Sequence, residues 1–322
     1  MSNYPLNIIQ FMDKFQTEEQ CRQYLASVRW RDGFKCQFCN NHNYWLDKRN
    51  RYICTRCRSH NSVLAGTVMQ DTKLKLRTWL TAMWMFATQK DGISAMSLRD
   101  NLGINSYRSA WLLLHKLRVA MVRADREKLS GIIEIDEGYI GGHEEGKRGR
   151  GSENKKIVVV AVQLEEVKTN KPQISLRDYK LAKVRAKHIE SASKEELHSF
   201  IIENVSRGSI LIRDNWSGYS GIDEFGYESE IHKQSNADDG NEKLPHVHLA
   251  ISLINRWILG TYQGRLEEYH MQTYLEEFTF RFNRKASKHR GLLFYRLTQG
   301  AMSTIPHPYE DLIERKEEPC PK

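Results

Sequence analysis

Four cysteines near the start of the chain form two pairs with identical spacing. Two residues separate Cys36 from Cys39, and two residues separate Cys54 from Cys57. This spacing lets both thiolates of a pair face one ion, and two such pairs can complete a tetrahedral Zn²⁺ site. Because four thiolates would fill the coordination of zinc, we expect a structural site and not a catalytic one. A redox-active pair or two disulfides are the alternative interpretations.

Two aspartates in the second half of the chain are candidates for binding a catalytic metal. Asp136 lies within an apolar run at residues 131–142, and Asp214 lies within a second run at residues 209–219. Carboxylates on neighbouring strands of one mixed sheet can converge, and oxygen ligands suit Mg²⁺ or Mn²⁺. Such a pair can support metal-dependent phosphoryl transfer. Taken alone, either aspartate could instead be a turn or capping residue.

The elements around these aspartates predict an α/β domain with a mixed sheet. Apolar runs predict strands at residues 131–142, 157–164, 174–178 and 209–219. The second of these is nearly continuous and β-branched, as expected for a central buried strand. A serine followed three residues later by glutamate predicts a capped helix at residues 193–205.

The length and charge of the chain limit its class. It has 322 residues, a net charge of +9 and an isoelectric point of about 9.1. This length predicts two or three domains, and the basic charge suits a polyanion such as nucleic acid. We find neither a secretory signal nor an apolar run of the ~20 residues needed to span a bilayer. We therefore expect a cytoplasmic protein without membrane association, in which disulfides are unstable and paired cysteines favour metal.

Basic side chains accompany the cysteine pairs, a predicted helix-turn-helix and a later cluster at residues 281–290. Helices are predicted at residues 94–101 and 106–121, and a short turn containing Gly103 joins them. Solvated charged surfaces and a helical linker bundle are the alternatives. We expect DNA contacts, mainly to phosphates, from Arg49 and Arg51 near the cysteines, Arg108 and Lys116 in the second helix, and Arg284 and Arg290 in the later cluster.

Four longer stretches carry a family resemblance. Residues 134–142, 214–219, 244–264 and 274–296 resemble the zinc-ribbon DDE transposases of bacterial insertion sequences, which are ISXO-type relatives of the Merlin transposons. The stretches follow one another in the family's order, and the resemblance extends from the cysteine pairs almost to the end of the chain. It implies an RNase H-like fold with a metal site of the DDE type.

The same resemblance implies roles for individual residues. Asp136 and Asp214 match the first two acidic positions, and His248 matches the third, which is Glu, Asn or His in this family. A neutral imidazole can bind Mn²⁺ and, less well, Mg²⁺, and we expect His248 to open a helix. His246 lies two residues earlier and would not share its face of that helix. A core or capping histidine is the alternative for His248.

One position departs from the family's pattern. Asn255 stands where the family usually carries lysine, and Arg256 follows it. Asparagine can hydrogen-bond to a phosphate but brings no charge. Either Arg256 substitutes for the lysine from a neighbouring angle, or the site is weakened in this chain.

These features together predict four segments. They are an N-terminal region with the zinc ribbon (residues 1–72), a helical, helix-turn-helix-like DNA-binding segment (73–126), an RNase H-like catalytic domain (127–305) and a charged tail (306–322). This fold class is α/β.

The resemblance implies an insertion-sequence transposase. Water would attack a phosphodiester at the element's inverted-repeat end, and the released 3′-hydroxyl would then attack target DNA. Because two ends must be handled together, we expect a homodimer or larger assembly on double-stranded DNA, associated with the bacterial nucleoid. The alternative is a catalytically inactive, transposase-derived DNA-binding regulator.

Overall fold

The structure is a computed structural model, and it divides into two compact units. Met1–Arg123 and Ala286–Lys322 form the first unit, and Ala124–Lys285 form the second. No helix in the described ranges is long and apolar enough to cross a membrane. The described ranges are residues 4–122, 126–141, 155–167, 178–232, 244–262 and 268–313.

The first unit begins with two helices and a small antiparallel sheet. The second helix starts at a capping box, in which the side chains of Thr17 and Gln20 each accept a hydrogen bond from the other's backbone N–H. The elements are α1 (Ile8–Lys14), α2 (Glu18–Arg29), β1 (Tyr44–Leu46), β2 (Tyr52–Cys54) and β3 (His60–Asn61), with the strands in the order β1-β2-β3.

Three further helices follow in the first unit. They are α3 (Leu76–Thr88), α4 (Ala95–Leu102) and α5 (Tyr107–Met121). Gly103 ends α4 with a φ of 62°, a left-handed conformation that glycine adopts without steric cost. The two helices predicted for a helix-turn-helix and their glycine-bearing turn are therefore present.

A mixed sheet of five strands forms the centre of the second unit. The strands are β4 (Ile132–Gly141), β5 (Lys155–Glu166), β6 (Tyr179–Ile189), β7 (Ile210–Arg213) and β8 (Glu228–Ile231). Their order is β6-β5-β4-β7-β8. β5 pairs antiparallel with β4 and β6, whereas β7 pairs in parallel with β4 and β8. This arrangement confirms the predicted mixed α/β sheet.

Helices cover both faces of this sheet. They are α6 (Lys194–Asn204), α7 (Pro245–Tyr262) and α8 (Met271–Phe282). Val158, Val160 and Val162 of β5 pack with α7 and α8, whereas Val159 and Ala161 pack with α6. Because successive strand residues face opposite sides, burial of both faces explains the nearly continuous apolar run of β5.

Strand β6 lies later in the chain than the third predicted strand. Of the predicted range 174–178, only Asp178 is described, and it precedes β6. Lysines and a buried arginine, Arg185, interrupt the apolar pattern of β6. The sequence of β6 therefore indicates a strand less clearly than that of β5 does.

The helix α9 (Arg290–Ser303) belongs to the first unit, where it packs against α2, α3 and α5. The packing is close, because a Cβ at Gly300 would lie 2.0 Å from the carbonyl oxygen of Ala120. The second unit thus ends at Lys285, before the predicted domain boundary at residue 305. The difference arises because α9 buries its apolar side on helices from the opposite end of the chain.

Candidate active site

Asp136 and Asp214 lie on neighbouring strands. In the parallel pairing of β4 with β7, Glu134 is opposite Ile212, so the same register places Asp136 level with Asp214, one residue past β7. The Asp214 carboxylate accepts a hydrogen bond from the Trp216 N–H at 2.9 Å, which turns the chain at the end of the strand. The fold thus brings the two predicted acidic residues to adjacent positions of one sheet.

His248 contacts Asp136 directly. It lies in the first turn of α7, and its Nε2 is 2.9 Å from Asp136 Oδ2. The His248 side chain is 34% exposed and the Asp136 side chain is 17% exposed, so solvent reaches the pair. His248 therefore lies at a helix start, as expected, and it faces the first aspartate instead of the protein core.

A buried carboxyl and a buried phenol lie next to these aspartates. Burial, above all, raises the pKa of Glu137 to about 7. The Tyr219 hydroxyl opposes this rise in pKa, whereas the charges of Asp136 and Asp214 add to it. Glu137 Oε1 and Tyr219 Oη are nevertheless not in hydrogen-bond geometry with any described residue. Negative charge is therefore crowded at this end of β4.

The donor set of Asp136, Asp214 and His248 fits a divalent cation. Two carboxylates and an imidazole supply the oxygen and nitrogen ligands that Mg²⁺ or Mn²⁺ accepts. A cation would also relieve the crowded negative charge around the buried Glu137 oxygen. The three side chains are not closed around one point: within the described residues, only a group of cysteines has three or more ligand atoms within 4.8 Å of one another.

Glu134 binds the start of α7 from strand β4. Its fully buried carboxylate accepts hydrogen bonds from the backbone N–H groups of His246 and Val247, each at 2.9 Å. The other carboxylate oxygen is 2.7 Å from His246 Nδ1, and His246 Nε2 is 2.9 Å from the Tyr179 carbonyl oxygen. Because both partners are acceptors, the ring donates from both nitrogens. The hydrogen bond with Glu134 raises the pKa of His246.

Neither Glu134 nor His246 is predicted from the sequence as a site residue. Two signals point to them. Glu134 precedes Asp136 by two residues and therefore shares its face of the strand. In addition, Leu244 precedes α7, and leucine cannot cap a helix with its side chain. A helix without a local cap needs partners from elsewhere in the fold.

Asn255 and Arg256 lie on different faces of α7. Asn255 follows His248 by about two turns on nearly the same face, and its Nδ2 donates to the Tyr139 carbonyl oxygen at 3.4 Å. Arg256 is exposed, and the helical repeat turns it about 80° away from His248. Asn255, at the position where the resemblance implies lysine, is therefore nearer the site than Arg256. Arg256 points away from His248.

Cys36, Cys39, Cys54 and Cys57 come together in the first unit, with all four sulfur atoms within 4.8 Å of one another. The Sγ atoms of Cys36 and Cys57 are 3.6 Å apart, and those of Cys39 and Cys54 are 3.5 Å apart. These distances are too long for disulfides. They approach the edge of about 3.8 Å that zinc–sulfur bonds of about 2.3 Å give a tetrahedron. The cysteine group therefore has the geometry of a tetrahedral metal site.

Two known families match this chain in the regions of the two sites. Residues 128–283 match the ISXO2-like transposase domain, and residues 16–60 match the transposase zinc-ribbon domain. The chain belongs to the ISXO2-like transposases. The first match contains Asp136, Asp214 and His248, and the second contains all four clustered cysteines. The predicted family is thus confirmed, and the protein is an insertion-sequence transposase that acts on DNA.

One sequence relative and one solved structure match this transposase over most of the chain. A Halobacterium salinarum protein, described as an uncharacterized protein in transposable element ISH50, is 21% identical over 277 residues, which cover 83% of this chain and 93% of the relative. A solved structure, the Mos1 transposase paired-end complex with left transposon end, has a TM-score of 0.30 and 11% identity. That match covers 94% of this transposase and 76% of the Mos1 chain.

Two predicted DNA contacts of the transposase lie near the cysteine group. Arg51 pairs with Asp47 at 2.6 Å. Arg49 is exposed on the same turn. Together with Arg22, both arginines line a cavity of about 240 Å³. Arg22 also pairs with Glu19 at 3.1 Å, so carboxylates already partner two of the three arginines at this cavity.

The other predicted DNA contacts differ in how accessible they are. The guanidinium of Arg108 lies 3.7 Å from the centre of the Tyr309 ring. Lys116 is half-buried, and burial lowers its pKa. Arg284 is also half-buried, whereas Arg290 is exposed at the start of α9. Lys116 and Arg284 are therefore less suited to phosphate contact than the exposed Arg290.

Proposed function

We propose that this transposase cleaves the ends of its element and joins them to target DNA with Asp136, Asp214 and His248 as its catalytic residues. The observation that carries the proposal is the 2.9 Å contact between His248 Nε2 and Asp136 Oδ2, at the strand position level with Asp214. Asp136 and His248, far apart in sequence, are in contact, and Asp214 follows the adjacent strand at the level of Asp136. This arrangement is what a DDE-type site requires.

Asp136, Asp214 and His248 would hold Mg²⁺ or Mn²⁺ through two carboxylates and a neutral imidazole. Such ions, when bound, activate the attacking oxygen and stabilise the leaving oxygen of a phosphodiester. Asp136 and Asp214 bring the negative charge that attracts the cations, and α7 holds the imidazole of His248 beside them.

The reaction proceeds in two displacements at the same residues. In the first, water attacks a phosphodiester at the element's end, the bond from phosphorus to the 3′-oxygen breaks, and a 3′-hydroxyl is released. In the second, this hydroxyl attacks a target phosphodiester and displaces a target 3′-oxygen, which takes up a proton. No side chain forms a covalent intermediate, because each oxygen nucleophile comes from water or DNA.

The first unit supplies binding. Cys36, Cys39, Cys54 and Cys57 hold a structural Zn²⁺ in this proposal, since a four-thiolate site leaves no open position for a substrate. Around it, Arg49 and Arg51 contact DNA phosphates, and α4 with α5 act as a helix-turn-helix. Two copies handle the two inverted-repeat ends together, and the protein works in the cytoplasm on nucleoid DNA.

The experiment compares Asp136→Asn with wild type on duplex DNA that carries the inverted repeats flanking the gene, with Mg²⁺ or Mn²⁺ present. We expect the variant to lose cleavage while it keeps its zinc content and its DNA affinity. Asp223→Asn is the matched control, because Asp223 is an exposed aspartate of the same unit. Full cleavage by Asp136→Asn would overturn the catalytic assignment. Loss of cleavage by both variants would also overturn it, because the loss would then follow from removing any negative charge of this unit and not from the role of Asp136.

A further inference from the structure

We propose that Glu134 is a positioning residue that, together with His246, holds the first turn of α7 so that His248 stays in contact with Asp136. The proposal rests on the proposed function for the role of His248. The hydrogen bonds between Glu134 and α7 do not depend on whether His248 is catalytic. The hydrogen bonds of Glu134 to α7 go to the backbone N–H groups of His246 and Val247 and to the His246 ring, so Glu134 acts on His248 through the helix.

Glu134 satisfies the free donors at the start of α7. The first helical residue, Pro245, has no N–H, and the N–H of His248 already donates to the Leu244 carbonyl oxygen at 3.2 Å. The two remaining donors are the N–H groups of His246 and Val247, and Glu134 accepts both. Its negative charge also lies at the positive end of the helix dipole. Glu134 therefore replaces the missing local cap.

His246 fixes the rotation of the same turn. Its ring lies between Glu134 of β4 and the carbonyl oxygen of Tyr179 at the start of β6. A side chain held from two strands cannot turn about the helix axis without losing one of these bonds. Because His248 follows His246 by two residues in the same turn, holding His246 in place also fixes the direction of the His248 side chain.

The strand geometry links this cap to the site. Glu134 and Asp136 are two residues apart on β4 and lie on the same face, toward α7. One carboxylate binds the helix backbone, and the next one along that face receives the His248 side chain. The spacing of two residues on the strand therefore sets where the imidazole meets the aspartate. A shift of about 1 Å at such a contact can reduce a rate about 100-fold.

The test follows His248 by NMR in the full-length protein labelled with ¹⁵N-histidine. The His248→Ala variant assigns the His248 ring signals, and Asp136→Asn shows their position without the Asp136 contact. We expect Glu134→Gln to move these signals toward those of Asp136→Asn. We also expect it to reduce cleavage of inverted-repeat DNA about 100-fold, with an unchanged Kd for that DNA.

Glu277→Gln is the matched control for loss of a buried carboxylate. Glu277 is also fully buried, and it accepts a hydrogen bond from the Tyr262 hydroxyl at the far end of α7. Glu277→Gln should destabilise the fold to a similar extent and leave the His248 signals in place. If Glu134→Gln does not fold, His246→Phe removes the ring bonds to both strands and should produce the same shift.

The outcomes separate this proposal from the proposed function. His248 signals that stay at their wild-type positions in the folded Glu134 or His246 variant would overturn the positioning role. Equal shifts from Glu134→Gln and Glu277→Gln would also overturn it, because they would reflect general loosening. A wild-type protein that does not cleave DNA, with His248 signals that still move in the Glu134 variant, would overturn the proposed function and support the positioning role.

Discussion

Asn255 donates a hydrogen bond from Nδ2 to the carbonyl oxygen of Tyr139 across 3.4 Å. This contact ties α7 to the strand that carries Asp136, at the position where the resemblance implies lysine. The bond is long for an amide donor and a carbonyl acceptor, so its loss costs little stability. We therefore expect the position to accept a lysine.

We expect Asn255→Lys to raise kcat/KM for DNA cleavage about tenfold. A charge-assisted hydrogen bond to phosphate contributes about 1.5–3 kcal/mol. If about 1.4 kcal/mol of this stabilises the transition state, the rate rises about tenfold. Initial cleavage rates on inverted-repeat DNA provide the measurement. Asn255→Gln is the control, because it lengthens the side chain without adding charge. An equal gain from Gln and Lys would exclude the charge as the cause.

Replacement of His248 by glutamate should change the preferred metal. Imidazole nitrogen suits Mn²⁺ better than Mg²⁺, whereas a third carboxylate suits both ions. We expect His248→Glu to retain cleavage and to lower the ratio of the Mn²⁺ rate to the Mg²⁺ rate. His248→Ala, in contrast, should reduce cleavage with both metals. The ratio is measured at saturating metal on one DNA substrate. An unchanged ratio in His248→Glu would argue against metal binding by His248.

Chelation of zinc should unfold the region around the cysteine group and leave the second unit folded. Metal analysis is expected to find one zinc per chain, and Cys39→Ser should lose it together with DNA affinity. Cys21→Ser is the matched control. Cys21 is fully buried outside the group, and burial raises the pKa of its thiol to about 11, so it is neither a ligand nor a reactive thiolate. Retained zinc in Cys39→Ser would contradict a four-cysteine site.

Gly300→Ala should destabilise the first unit by about 3 kcal/mol, because the added Cβ would meet the rigid backbone oxygen of Ala120 at 2.0 Å. Gly260→Ala in α7 is the control, since a Cβ there has open space, and alanine favours the helix by up to about 1 kcal/mol. Chemical denaturation of both variants measures the difference. Equal stability of the two variants would show that α9 does not pack on α5 at this distance.

The sequence predicted the features that depend on local spacing. Two residues between cysteines already determine that Cys36 and Cys39 can face one ion, and the structure brings the second pair to the same point. The apolar runs around Asp136 and Asp214 indicated strands, and the register of β4 with β7 makes them neighbours. The family resemblance supplied His248, which has no local signal of its own.

Contacts between distant residues could not be predicted in the same way. Arg108 and Lys116 both belong to a basic helix, but only the fold shows that the Arg108 guanidinium lies against the Tyr309 ring and that Lys116 is half-buried. For the same reason, the sequence did not indicate that α9 packs with the helices of the first unit. A basic or apolar pattern identifies a helix, whereas burial depends on which element packs against it.

The sequence by itself determined the family, the paired cysteines and the strands that carry the two aspartates, because these follow from the order and spacing of residues along the chain. Tertiary structure alone decided that Glu134 caps α7 from a strand 112 residues away from His246. It also decided that His248 faces Asp136. The physical reason is that unpaired N–H groups at a helix start must be satisfied, but nothing in the local sequence says which part of the fold satisfies them.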